Sequence, residues 1–72
     1  MYKFKPLVSI IIPTFNHANY LSKALQSVLH QTYTNWEAIV IDNYSTDDTA
    51  KVIARLNDHR IKYLKIQNYG VI

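Results

Sequence analysis

The sequence contains no cysteine, so neither a disulfide nor a thiolate-held metal can brace the fold, and the redox compartment is left unmarked. It has a single glycine, Gly70, and therefore no GxGxxG and no GxxxxGKS/T pattern. That argues against the close backbone approach to a pyrophosphate on which dinucleotide and P-loop sites depend. No apolar run approaches the roughly 20 residues of a membrane span. No basic run exists either: Lys3, Lys5, Lys23, Lys51, Arg55, Arg60, Lys62 and Lys65 are dispersed. The net charge of +3 thus reads as a solvated surface and not as a nucleic-acid footprint. His17, His30 and His59 share no metal-ligand spacing and read as surface histidines. Residues 7–12, preceded by Lys3 and Lys5, resemble a short secretion core. Pro13, Thr14 and Asn16 interrupt them and no small-residue cleavage site follows, so the stretch reads as a strand and the protein as not secreted.

What is present is globular composition: 49% of the 72 residues are apolar. A chain of this length buries only roughly 60% of the surface its unfolded form exposes, so its stability is marginal without a partner. Six tyrosines are scattered along it, which is not the stacked-aromatic pattern of an RNA-binding sheet.

The most informative stretch is Val8-Ser9-Ile10-Ile11-Ile12-Pro13-Thr14-Phe15-Asn16. Residues 8–12 form a short, nearly continuous run of branched apolar side chains, the signature of a strand buried on both faces. Pro13, which has no N–H to give a ladder, is expected at the strand's exit. Thr14 and Asn16 are then delivered to the carboxyl edge of the sheet, where open α/β sheets bind their ligands. Next the period changes. Tyr20, Leu21, Ala24, Leu25, Val28 and Leu29 fall on one stripe of a helix, whose start Asn16 or Asn19 can cap. Residues 36–41 read as a second interior strand.

The second strand runs into Asp42-Asn43-Tyr44-Ser45-Thr46-Asp47-Asp48-Thr49, where Ser45 and Asp48 have the spacing of a capping box. Asp47 and Asp48 suit the positive end of the following helix better than they suit a metal. Ala50, Ile53, Ala54 and Leu56 or Asn57 carry that helix, which stops near Asn57-Asp58. In residues 60–67, Ile61, Tyr63, Leu64 and Ile66 are interleaved with Lys62 and Lys65, and the stretch reads as a third strand towards an edge.

The order β-α-β-α-β predicts an α/β fold: a Rossmann-like unit with a short parallel sheet, in three layers, and 72 residues make one small domain or part of a larger one. Right-handed crossovers place the first two strands side by side. Their polar tips, residues 14–16 and 42–46, then share one rim that suits a hydrogen-bonding heterocycle with a ribose, with Phe15 or Tyr44 as an aromatic wall.

The stretches at residues 8–16 and 20–33, Trp36-Glu37, and residues 41–49 resemble, in order and spacing, the start of a family-two glycosyltransferase of the GT-A fold. The resemblance runs from about Leu7 to Gly70, and it implies that residues 1–72 form a single partial domain, the nucleotide-binding first part of such an enzyme. It implies a nucleotide-sugar donor, commonly a UDP-sugar, whose sugar passes to an acceptor with inversion, as in polysaccharide biosynthesis. It also implies that Pro13, Thr14, Asn16, Asp42 and Asn43 line the nucleotide pocket. Two departures stand out. Asn43 replaces the family's second acid; its amide still offers a donor and an acceptor to a pyrimidine edge. Tyr44 replaces the usual glycine and is awkward if the turn needs φ > 0.

The resemblance further implies a divalent metal, Mg or Mn, in the complete enzyme. The family's metal-binding Asp-x-Asp, its catalytic base, and the basic residue after the motif matching Asn68-Tyr69-Gly70 match nothing in this sequence. No catalytic or metal-ligating residue is therefore assigned, and the 72-residue chain alone is expected to be inactive. Expected besides are self-association through an exposed sheet edge or face, and a cytoplasmic location, or one at the membrane surface for the full-length enzyme. The alternative reading is a non-catalytic interaction or assembly module that keeps only the fold. A redox dinucleotide domain is disfavoured by the missing glycines.

Overall fold

The branched run near the start forms the first strand of a three-stranded parallel sheet in the computed structural model, which describes residues 5–67. The elements are β1 (Val8–Thr14), α1 (Ala18–His30), β2 (Trp36–Asp42), α2 (Thr49–Leu56) and β3 (Ile61–Lys65). Strand order is β1-β2-β3. The β-α-β-α-β order and the edge position of β3 are as the sequence predicts. The Asn68-Tyr69-Gly70 turn lies outside the described residues.

Both helices pack on the same face of the sheet. Leu21 and Leu25 of α1 meet Trp36, Ala38 and Val40 of β2 in the buried core, and Ile53 and Leu56 of α2 pack against the same cluster. Burial along β2 alternates strictly: Trp36, Ala38, Val40 and Asp42 are buried, while Glu37, Ile39 and Ile41 are half-buried on the other side. The unit therefore has two layers, not the three expected. Two successive crossovers that step in the same direction across the sheet place their helices on one side.

For the same reason β1 is not buried on both faces. It is an edge strand among the described residues, with Ile11 54% exposed. The far face carries Ile11, Ile39, Ile41 and Leu64, with Ser9, Glu37 and Lys62 joined beside them. There Ser9 Oγ donates to Glu37 at 2.6 Å and Lys62 Nζ pairs with it at 3.0 Å.

Pro13 does not end β1 but lies within it. Val8 N–H donates to the Asn35 carbonyl and the Thr14 carbonyl accepts from Asn43 N–H, so the even-numbered residues of β1 turn their backbone groups towards β2. The nitrogen of Pro13 consequently faces the open edge, where no ladder bond is lost.

At the amino edge of the sheet, Arg60 stacks 4.0 Å from the Trp36 ring centroid. The same guanidinium grips Asp58 at 2.8 Å and the Thr34 carbonyl at 3.1 Å. At the far end of α2, Asn57 takes a left-handed φ of 47°, a conformation that asparagine tolerates at a helix end.

Candidate functional site

Parallel pairing sets Thr14, Asp42 and Lys65 in one row across the carboxyl ends of the three strands. The sequence-predicted meeting of the first two polar tips is therefore present, with Asn43 N–H donating to the Thr14 carbonyl at 3.0 Å. The side chains lie differently from an open cradle. Thr14 and Asp42 are on the helix-facing side of the sheet and are only 5% and 1% exposed.

Asp42 spends both carboxylate oxygens inside the protein. Oδ1 accepts the Ser45 N–H at 3.0 Å and the Ser45 hydroxyl at 2.5 Å, and Oδ2 accepts the Tyr63 hydroxyl. The carboxylate thus folds the turn after β2 back on itself, as a short acidic side chain does in an Asx-type turn. Burial, and then the bond to Asp42, push the Tyr63 phenol up to about 12.

Asn16 joins the two loops at the rim. Its N–H donates to Ser45 Oγ at 2.9 Å, and its side-chain oxygen accepts Thr46 N–H at 2.7 Å. It does so from a left-handed φ of 50°.

Tyr44 occupies the same backbone region at φ 55°, so the conflict foreseen for a bulky residue in this turn is real. Its ring is 51% exposed and lies beneath the Lys65 ammonium, 5.1 Å from the centroid. Pro13 and Thr14 line an open, mainly apolar cleft of about 470 Å³ on the α1 side of β1, together with Phe15, Tyr20 and Leu21.

Neither expected cap forms. His17 precedes α1 and Asp48 precedes α2 without any side-chain cap bond, and Ser45 is engaged with Asp42 and Asn16 instead. The work falls to Asp47, which caps both helices at once. Oδ2 accepts the Ala18 N–H of α1 at 3.0 Å, and Oδ1 accepts the Thr49 N–H of α2 at 3.2 Å and the Thr49 hydroxyl. These bonds, that of the Thr49 hydroxyl foremost, hold the Asp47 carboxyl below its ordinary value.

The acidic pair does not suit a divalent ion. Asp47 is committed to caps, Asp48 pairs with Lys51 at 3.7 Å, and no group of three potential ligands gathers among the described residues.

Sequence reasoning missed Tyr63 as an organiser of this rim; it placed Asp47 at the start of α2 but not of α1, and it gave Ser45 a capping role in place of its bonds to Asp42 and Asn16. Tyr63 is separated from Asp42 by a whole helix, and only the β2–β3 register, in which Tyr63 pairs with Val40 two residues before Asp42, brings them together.

The described helices include none long and apolar enough to cross a membrane. Residues 9–72 match the family described as glycosyl transferase family 2. The chain is 46% identical over 66 residues to the GalNAc(5)-diNAcBac-PP-undecaprenol beta-1,3-glucosyltransferase of Campylobacter jejuni, covering 89% of this chain and 21% of that protein. It is 47% identical over 58 residues to the UDP-Glc:alpha-D-GlcNAc-diphosphoundecaprenol beta-1,3-glucosyltransferase of Escherichia coli, covering 81% of this chain and 23% of that one. Among solved structures, a mannosyltransferase from Pyrobaculum calidifontis in complex with GDP-Man and Mn2+ superposes with a TM-score of 0.78. The identity there is 26%, over 96% of this chain and 22% of that one. The chain therefore spans about a fifth of the length of these relatives.

Proposed function

The chain belongs to glycosyl transferase family 2, and from that premise we propose that its rim holds the nucleoside of a nucleotide-sugar donor, a UDP-sugar, for inverting transfer of the sugar to an acceptor. The observation that carries this reading is the side-by-side placement of the Thr14 and Asp42 strand ends, with their loops tied together through Asn16.

In this reading the five residues divide the labour. Asp42 and Asn16 shape the rim from within, since their side-chain oxygens are already engaged. Pro13 and Thr14 supply backbone surface at the strand end. Asn43 turns an amide to the pyrimidine edge, where a donor and an acceptor are both needed. The metal seen with GDP-Man in the mannosyltransferase finds no ligand set among the described residues. No step of the transfer is assigned to this chain's own side chains, and the 72 residues alone bind weakly and do not catalyse.

Titration of the chain with UDP, followed by backbone NMR, tests the reading. Shifts confined to residues 14–16 and 42–45 are expected. Unmoved resonances at millimolar UDP overturn the nucleotide site and leave the interaction-module reading.

One observation favours that second reading in part: the apolar far face of Ile11, Ile39, Ile41 and Leu64, beside the edge of β1 that no strand among the described residues pairs. Such a face and edge favour self-association of the isolated chain.

A further inference from the structure

The turn after β2 puts a bulky side chain at a positive φ, at a steric cost. Among the described residues three non-glycine positions have positive φ, and two of them are asparagines, whose short polar side chain tolerates that region. The third is Tyr44, a bulky side chain in a conformation suited to glycine.

Burial does not offset the cost, because the ring is half exposed instead of entering the core. Yet the ring is not left loose. Lys65, at the end of the neighbouring strand, sets its ammonium over the ring at 5.1 Å, within range of a cation–π attraction. An aromatic plate is thus held by a cation at the carboxyl rim, next in sequence to the amide of Asn43. Phe15, the other aromatic at the strand tips, lines the cleft on the α1 side of β1 with Pro13, Thr14, Tyr20 and Leu21.

We propose that Tyr44 is the stacking platform for the nucleobase of the donor, with Lys65 as the residue that positions its ring. The proposal rests on the nucleotide reading of the rim given above. A planar base has an aromatic face to lay on the ring and edge groups for the neighbouring amide, so plate and amide recognise different parts of one ligand. The positive charge of Lys65 also favours a nucleotide over an uncharged nucleoside at this end of the sheet.

The test sets stability against binding. Glycine at position 44 removes the steric cost, so Tyr44→Gly raises the urea midpoint of the chain. The same substitution removes the plate, so it weakens UDP binding roughly tenfold, within the range that one stacked base contributes. Tyr44→Phe keeps wild-type affinity, and cross-relaxation links the uracil H6 proton to the Tyr44 ring protons in the wild-type complex. Lys65→Gln weakens uridine as well as UDP, and Lys65→Arg, which keeps a cation over the ring, restores both.

UDP binding by Tyr44→Gly as tight as that of the wild type overturns the platform and leaves the nucleotide site standing. A loss in Lys65→Gln that is confined to UDP overturns the positioning role. A wild-type chain that does not bind UDP at all overturns both the platform and the reading beneath it.

Discussion

Tyr63 donates its phenolic hydroxyl to Oδ2 of Asp42, joining the middle of β3 to the end of β2 around a carboxylate that is only 1% exposed. Tyr63→Phe deletes the donor and leaves that oxygen facing a ring edge. A hydrogen bond to a charged group contributes about 1.5–3 kcal/mol, and urea denaturation of the variant is expected to show a loss in that range. The same bond makes an alkaline prediction. Because the folded state holds the Tyr63 proton up to about 12 against an ordinary 10.0, its contribution is complete below pH 10 and disappears as the pH rises towards 12. Lysines titrate in the same window, so the quantity to measure is the difference between wild type and Tyr63→Phe. That difference shrinks over the interval if the bond is as described.

Asp47 ties the starts of two helices together, so its loss is expected to loosen both. In Asp47→Ala, amide exchange accelerates at Ala18 and at Thr49 together, because one side chain serves both N–H groups. Asp47→Asn keeps one acceptor oxygen and protects only one of the two sites. Acceleration at Thr49 alone in the alanine variant would show that α1 is held by something else.

Asp58 and Arg60 close the opposite end of the sheet. The Arg60 guanidinium, first by its side-chain hydrogen bonds, draws the Asp58 carboxyl down to about 2 from an ordinary 3.8. A depressed carboxyl contributes stability above the unfolded value and loses it as the pH falls through the folded one. Wild type is therefore expected to weaken relative to Asp58→Asn between about pH 4 and pH 2. Thermal melts of both proteins across that interval, giving parallel curves, would contradict the pairing.

Much of this architecture is legible in the residues themselves. The branched run at 8–12, the helical stripe from Tyr20 to Leu29 and the apolar end of β2 each announce their element, because side-chain period is a local property. What covers an element is not local. The continuous apolar run of β1 does identify a strand with two apolar faces, yet its pattern cannot tell which face receives a helix. That depends on the direction in which successive crossovers step. Pro13 misleads in the same way: it marks either an exit or an open edge, and only the pairing of Val8 and Thr14 with β2 tells the two apart.

At the rim, Thr14, Asn16 and Asp42 can be found from their place after strands. The roles of Asp42 and Asn16 as internal ties, by contrast, depend on Tyr63 and Thr46, which the fold brings from 21 and 30 positions away. The Ser45–Asp48 spacing looks like a cap, but the Ser45 hydroxyl oxygen accepts the Asn16 N–H while its proton goes to Asp42.

The bonds from Asn16 to Ser45 and Thr46 carry a consequence for anyone who grafts this region between relatives. With each loop serving as the other's scaffold, the segment after β1 and the segment after β2 are one exchangeable cassette. Transplanting either alone leaves a donor or an acceptor stranded in a foreign host, and only the matched pair should travel with its geometry intact.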